Sequence, residues 1–387
     1  MTRPLVVLSR VLPFHGIGGM EAVAWDLARS LAAEGVPVTA LTTRIPGRPE
    51  RFVADGVSVA ACAAARPARY SRAWWRSTRA YFERERPAAQ VAVLSVSAAA
   101  YGVLGKRRAY GLDPVVLQAH GTALGELVSK LRTGRPIAAL QALRNAAWLA
   151  RDLAAYRRFD AVVAVGDAVA AGLRRVPLSW CFDATAVQVI QNGIDTARFA
   201  PNRAARDAAR AQLGCGAGDT VLVSTSRLHA QKGVDHAVRG FARLVARRPA
   251  SRLLVVGGGP ERGRLEGLAG RLGVANRVRF AGPVPREELV DYLRAADALV
   301  LTTLRQEGLP LVALEALAVG IPAFVSRHLR SVLAISPAVH GVDPTNAEGL
   351  AAAIDRVVGP APRGSGLLPE EYTLGYATAR YRRVLGV

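Results

Sequence analysis

Apolar positions in the first half of the chain fall into short runs separated by amphipathic stretches. The runs Leu5–Ser9, Val36–Leu41, Val91–Ser95, Val115–Gln118, Ala161–Val165 and Gln188–Gln191 have the length and apolar continuity of buried strands. Between them, segments such as Ala22–Ala33 carry apolar residues at helical spacing. The second half repeats the pattern with Val221–Thr225, Arg252–Val256, Arg277–Ala281, Ala298–Thr302 and Ala323–Val325. Strands alternating with helices predict an α/β chain of parallel, Rossmann-like sheets covered on both faces. In such sheets ligands bind at the carboxyl ends of the strands. At 387 residues, two domains are expected. The boundary is placed at Phe199-Ala200-Pro201-Asn202-Arg203, giving domains 1–198 and 199–366. A loop-like stretch, Gly359 to Pro369, precedes a last helix from about Glu370 to Leu385, within a segment 367–387. Two such domains facing each other would form a cleft that excludes water from a reactive donor.

Two helical stretches are rich in arginine. Tyr70–Arg86 gathers Tyr70, Trp74, Trp75, Tyr81 and Phe82 on one face, with Arg72, Arg76 and Arg79 around them. An interfacial membrane helix has this composition, but a core-facing helix leading into the Val91 strand accounts for it better. Leu124–Arg158, broken at Gly134-Arg135-Pro136, follows His120 and offers a place for an acceptor to dock, although scaffold is its better reading.

The candidate chemistry begins at Arg305-Gln306-Glu307-Gly308-Leu309-Pro310-Leu311, which runs into an apolar helix carrying Glu315. A glutamate in the turn can grip sugar hydroxyls. A second, about two helical turns on, can accept both hydroxyls of a ribose. Between them, backbone amides at a helix N-terminus face a diphosphate. The spacing by itself is more often two solvated charges, and its surroundings give it weight. The strand at Thr220–Thr225 runs into a loop holding Arg227 and Lys232, two cations placed to suit a diphosphate. Lysine is scarce here, occurring only as Lys106, Lys130 and Lys232, so Lys232 is poor filler.

Taken in order, these segments resemble the retaining nucleotide-sugar glycosyltransferases of family 4, which have the two-domain GT-B fold, and the resemblance spans nearly the whole chain. Leu5–Leu8 followed by Gly18-Gly19-Met20-Glu21 looks like the family's first strand and its Gly-Gly-x-Glu loop. Gln118-Ala119-His120-Gly121-Thr122 looks like its His-Gly motif, and Val189–Asp195 like the segment entering its linker. Arg227 and Lys232 match its phosphate-binding pair, and Glu307 and Glu315 its paired glutamates. Gly257-Gly258-Gly259-Pro260 and Phe280-Ala281-Gly282-Pro283-Val284 match its nucleotide-cradling turns. The chain departs from the family in two places. Glu-Gly-Leu-Pro stands where many members have Glu-Gly-Phe-Gly, and Arg327-His328-Leu329-Arg330-Ser331-Val332 replaces a Gly-Gly-x-x-Glu stretch. Backbone contacts near the sugar are affected by both.

The resemblance implies transfer of a glycosyl group, with retention, from a nucleoside-diphosphate sugar, most often a UDP-sugar, to an acceptor hydroxyl. Arg227 and Lys232 would stabilise the departing diphosphate. Gly18 and Gly19 would bring backbone amides near it. His120 would contact the donor sugar, Glu307 its hydroxyls and Glu315 the ribose. Gly257, Val284 and the turn Gly308-Leu309-Pro310-Leu311 would complete the donor site. The last helix is expected to cross back onto the first domain. No Asp-x-Asp occurs in the chain, so metal-independent activity without a cofactor is expected, fixed cations taking the metal's place.

Composition narrows the setting. A net charge of +21 suits anionic substrates or an anionic membrane surface. The basic residues form no arm and no aromatic-basic motif, which disfavours nucleic acid. Cys62, Cys181 and Cys215 lie far apart with no metal-ligand spacing, as for reduced thiols in a cytoplasm. No run of eighteen apolar residues appears, and Met1–Arg10 has too short an apolar core for a signal peptide. The expected location is cytoplasmic, with peripheral contact to an anionic membrane allowed by the charge. Oligomeric state is left open. For the acceptor, a soluble natural product such as an aminoglycoside or other antibiotic core is narrowly preferred. The alternatives are a phosphatidylinositol-type lipid and a lipid-linked glycan. Three rival classes are weaker. An NAD-dependent oxidoreductase would use Gly16-Ile17-Gly18-Gly19, but Thr39–Arg44 lacks the acidic residue it needs. A nucleotide-sugar epimerase or hydrolase would turn over donor without acceptor. A non-catalytic basic binding protein would keep its function without Glu307 and Lys232.

Overall fold

The computed structural model describes residues 2–16, 20–86, 89–121, 148–183, 186–305, 309–330, 333–359 and 366–387. It divides into two units, Met1–Gly193 with Leu374–Val387, and Ile194–Thr373.

The first unit is built on strands β1 (Leu5–Leu8), β2 (Val38–Thr43), β3 (Arg51–Ala54), β4 (Val57–Cys62), β5 (Val91–Val96), β6 (Leu112–Ala119), β7 (Ala161–Ala164) and β8 (Val187–Val189). They form one sheet in the order β3-β4-β2-β1-β5-β6-β7-β8. Every pair is parallel except the β3–β4 hairpin. β1 reads Leu-Val-Val-Leu and is buried throughout, as a strand covered on both faces must be. Leu5 and Val7 face one core with α1 (Met20–Ala33), while Val6 and Leu8 face another with α2 (Arg72–Glu85). α3 (Asp167–Leu173) follows β7.

α2 starts at Ser71, whose side chain accepts from the Trp74 amide at 3.2 Å, satisfying one of the free donors of the first turn. Its aromatic face is turned inward. Trp74 and Phe82 are fully buried, and the indoles of Trp74 and Trp75 donate to the carbonyls of Ala99 and Ala98. Burying a side chain of the size of Phe82 contributes about 2 kcal/mol. These contacts give the aromatic face of α2 to the core, in keeping with the core-facing reading of Tyr70–Arg86.

The second unit carries β9 (Thr220–Thr225), β10 (Ser251–Val256), β11 (Val278–Gly282), β12 (Ala298–Leu301), β13 (Ala323–Ser326) and β14 (Val339–Val342). Their order is β11-β10-β9-β12-β13-β14, and all are parallel. Helices α4 (Arg203–Gln212), α5 (Val234–Arg247), α6 (Arg262–Arg271), α7 (Arg286–Ala295), α8 (Leu311–Val319) and α9 (Ala347–Val357) cover the two faces. α7 and α8 lie on the face of Val221 and Val223, and α5, α6 and α9 on that of Leu222. Some of the arginine excess serves this packing. Arg206 Nη2 lies 2.6 Å from Asp297 Oδ1, and the buried Arg210 donates to the carbonyl of Ala295, tying α4 to the amino ends of the strands.

The chain enters the second unit at Ile194, whose amide donates to the Tyr372 carbonyl at 2.8 Å, and leaves it at Thr373. The last helix, α10 (Leu374–Leu385), belongs to the first unit. Ala377, Tyr381 and Leu385 enter the core beneath α1, and Thr378 Oγ1 donates to Ser30 Oγ at 2.8 Å. No helix among the described residues is long and apolar enough to cross a membrane.

Candidate active site

Strand order decides where each unit can bind. In both sheets the order reverses beside the first strand: between β1 and β5 in the first unit, and between β9 and β12 in the second. Loops at the carboxyl ends of such neighbours part to opposite faces and leave a crevice. Several of the residues singled out in the sequence belong to these loops. Gly18 and Gly19 follow β1 but lie outside the described residues, as do Glu307 and Gly308 after β12. Arg227 and Lys232 follow β9, and Leu309, Pro310 and Leu311 lead into α8.

Backbone hydrogen bonds join the second unit's loops into one rim. The Ser226 amide donates to the Val256 carbonyl and the Leu228 amide to that of Gly258, at 3.0 and 2.8 Å. The Gly257 amide donates to Gly282 O at 2.8 Å, joining the turn after β10 to the one that carries Val284. On the other side, the Leu304 amide donates to Gln231 O at 2.9 Å and Thr302 Oγ1 to Gly233 O at 2.7 Å. The Arg227–Lys232 loop is therefore fixed from both neighbours. Two glycines make this possible. At Gly257 (φ +129°) a Cβ would stand 1.9 Å from Ser226 O, and at Gly233 (φ +59°) 2.2 Å from Thr302 O. Only residues without a Cβ fit that backbone.

Two helix N-termini open onto these loops. α5 starts at Gly233 and α8 at Pro310, and no side chain caps either among the described residues. Their first amides and the positive ends of their dipoles offer donors to an anion. Arg227 is exposed and Lys232 half-buried. Val284 packs partly buried against the core, leaving its backbone to the turn.

Glu315 is 3 % exposed, on a helix that is otherwise apolar. A buried carboxylate needs a partner, and Arg286, the first residue of α7, supplies one: Nη2 and Nε lie 3.0 and 3.3 Å from Oε1. The same guanidinium sits 5.9 Å from the centre of the Phe199 ring. Sequence reasoning missed Arg286. Among so many arginines only the packing of α7 against α8 distinguishes it.

In the first unit His120 follows β6 and is partly buried, its Nε2 3.0 Å from Gln118 Oε1. Burial pulls its pKa down from 6.5 to about 4, so the ring is neutral near pH 7. Among the described residues, no group of three or more His, Cys, Asp or Glu could hold a metal ion.

A chain with two such parallel-sheet units and a cationic loop at the switch point of one has the architecture of a GT-B glycosyltransferase. The model described as Glycosyltransferase Family 4 matches residues 17–198, and that described as Glycosyl transferases group 1 matches residues 205–359. The D-inositol 3-phosphate glycosyltransferase of Acidothermus cellulolyticus is 30% identical over 375 residues, 89% of this chain and 79% of that one. The GDP-mannose-dependent alpha-(1-6)-phosphatidylinositol monomannoside mannosyltransferase of Mycolicibacterium smegmatis is 38% identical over 148 residues, 37% of this chain and 38% of its own. Among solved structures, sucrose-phosphate synthase from Thermosynechococcus elongatus superposes with a TM-score of 0.71 at 23% identity, over 99% of this chain and 94% of that one. Anabaena HepE in complex with UDP does so with 0.69 at 18%, over the whole of both chains. These structural likenesses establish the fold. The chain belongs to glycosyltransferase family 4 and is a glycosyltransferase. The preference for an antibiotic-type acceptor gains no support from these relatives, whose names point to inositol phosphates and phosphatidylinositol glycolipids.

Proposed function

We propose that the protein transfers a sugar, with retention, from a nucleoside-diphosphate sugar to a hydroxyl of an inositol phosphate, either free or as the headgroup of a lipid. The similarity to a D-inositol 3-phosphate glycosyltransferase, over 89% of this chain and 79% of that one, carries this reading. The charge of +21 agrees with it, because donor and acceptor are then both phosphorylated anions.

In the proposed reaction the bond from the anomeric carbon to the diphosphate oxygen breaks, and its electron pair leaves with the nucleoside diphosphate. Arg227, Lys232 and the first amides of α8 stabilise that growing charge. Fixed cations do this work without a metal ion. The acceptor oxygen bonds to the anomeric carbon on the face just vacated, and its proton passes to a phosphate oxygen. Glu315, paired with Arg286, accepts the ribose hydroxyls. Glu307 binds sugar hydroxyls and His120 contacts the sugar. Gly18, Gly19, Gly257 and Val284 contribute backbone to the donor. UDP is the proposed nucleotide.

The test is product formation from UDP-, GDP- and ADP-sugars with three acceptors in parallel: soluble inositol 3-phosphate, phosphatidylinositol in vesicles, and an aminoglycoside. Turnover with either inositol acceptor supports the proposal and separates the free from the lipid-borne form. Turnover with the aminoglycoside alone would overturn the acceptor class. Donor consumption at full rate without acceptor would favour a hydrolase.

A further inference from the structure

β6 ends in Gln118-Ala119, and His120 follows. Residues two apart on a strand share a face, so Gln118 and His120 belong to the same side of the sheet. Gln118 is wholly buried, flanked by Val96 of β5 and Val163 of β7. A primary amide persists in such surroundings only where its polar ends are hydrogen-bonded. Both ends are. Its Nε2 donates to Tyr381 Oη at 2.8 Å, and its Oε1 lies 3.0 Å from His120 Nε2. Tyr381 stands on α10, 3 % exposed, in the core that holds Leu5, Ile190 and Leu385. A continuous line of hydrogen bonds thus runs from the last helix of the chain, through the centre of the sheet, to the histidine at the strand's end.

The line has a chemical polarity. An amide oxygen can only accept, so Nε2 of His120 is the nitrogen that carries the proton, and the lone pair of a neutral ring is left on Nδ1. Burial keeps the ring neutral, with its pKa down at about 4, so this assignment holds through the physiological range.

We propose that Gln118 and Tyr381 are positioning residues for His120: they hold its ring as the Nε2–H tautomer and thereby present Nδ1 as a hydrogen-bond acceptor for a hydroxyl of the donor sugar. The proposal rests on the reading of His120 as a donor-sugar contact. It also gives α10 a second task. The helix completes the core beneath α1, and through Tyr381 it sets the orientation of a residue of the reaction centre.

The tautomer is read by nitrogen-15 NMR on the full chain labelled at histidine. The chain holds six histidines, and His120→Asn assigns the signal. A single Nε2–H form is expected in the wild type, and a mixture with the Nδ1–H form in Gln118→Met. A wild-type ring protonated at Nδ1, or an unaltered tautomer in Gln118→Met, overturns the proposal. Kinetics supply the second readout. Gln118→Met should lower kcat about tenfold, the scale of one hydrogen bond, with the KM for the nucleotide-sugar within about twofold. Introduced into His120→Ala, the same change should cost nothing further. An equal loss in both backgrounds would mark a structural effect and overturn the proposal. Tyr381→Phe, which keeps the buried ring and removes only Oη, carries the same cycle if Gln118→Met fails to fold. A His120→Ala enzyme with undiminished turnover would overturn the sugar contact itself, a result read independently of the tautomer.

Discussion

Arg286 Nη2 lies 3.0 Å from Glu315 Oε1, and the carboxylate it faces is buried in an apolar helix. The pair joins the start of α7 to α8 and makes an ionised glutamate tolerable there. Removing one partner of a buried pair leaves the other charge uncompensated, at a cost of about 3 to 5 kcal/mol. Arg286→Met is therefore expected to lower unfolding free energy by about 3 kcal/mol, read as a shift of the urea midpoint. Glu315→Gln should cost less, because a neutral amide can still accept from Arg286. If Glu315 receives the ribose, both variants also weaken the thermal stabilisation given by a nucleoside diphosphate. An Arg286→Met protein as stable as the wild type would show that the pair does not carry this burden.

Glycines in the second unit allow a paired test of crowding. A Cβ at Gly257 would stand 1.9 Å from Ser226 O, whereas at Gly263, on α6, nothing lies within 4 Å. Gly257→Ala should destabilise by more than about 2 kcal/mol and disturb the loop bearing Arg227, because the crowded neighbour is backbone. Gly263→Ala should stabilise by about 0.5 kcal/mol, through helix propensity and a less free unfolded chain. Two denaturation curves decide the matter, and equal effects at the two positions would contradict the crowding argument.

Much of this architecture was legible because buried parallel strands leave continuous apolar runs. β1, β5, β9 and β10 each appear as an unbroken run, and the sequence places them within a residue or two. The β3–β4 hairpin escaped. Its strands are short and half-exposed, and its signal is the Asp55-Gly56 turn, where both residues have positive φ (48° and 76°). β14 escaped because Val339-His340-Gly341-Val342 has little apolar continuity at the sheet's edge. Among candidate site residues, Arg227, Lys232 and Glu315 were singled out through motif order. Arg286, Gln118 and Tyr381 were not, since each depends on a partner brought close only by folding. Gln118 and Tyr381 are 263 residues apart.

The neutral His120 makes a prediction about acid stability. Its pKa falls from 6.5 to about 4 on folding, so below pH 6.5 the unfolded chain binds a proton that the folded chain refuses. Stability contributed by this site is then lost progressively as pH falls from about 6.5 to about 4, and is unaffected above that range. His120→Asn removes the titration. The difference in urea midpoint between wild type and variant should be constant above pH 7 and move in the variant's favour towards pH 4.5. A pH-independent difference would mean that the ring is solvated well enough in the folded protein to keep its ordinary pKa.

Lys232 ties the loop geometry most directly to turnover. The fold of its segment depends on backbone: the Lys232 amide donates to His229 O at 2.8 Å, and Gly233 O accepts from Thr302 Oγ1. Truncating the side chain leaves those bonds in place, so Lys232→Ala should melt within a few degrees of the wild type. If the ammonium stabilises charge on the departing diphosphate, kcat should fall by about 10² to 10³. Lys232→Arg keeps the charge in a different shape and should recover only part of the rate, because a planar fork is not a substitute for a compact ammonium. Gln231→Ala, in which the neighbouring side chain is removed while its carbonyl still accepts from Leu304, serves as the control for loop perturbation. A Lys232→Ala enzyme that turns over at the wild-type rate would remove the lysine from the reaction, and the phosphate would then have to be held by Arg227 and the helix N-termini alone.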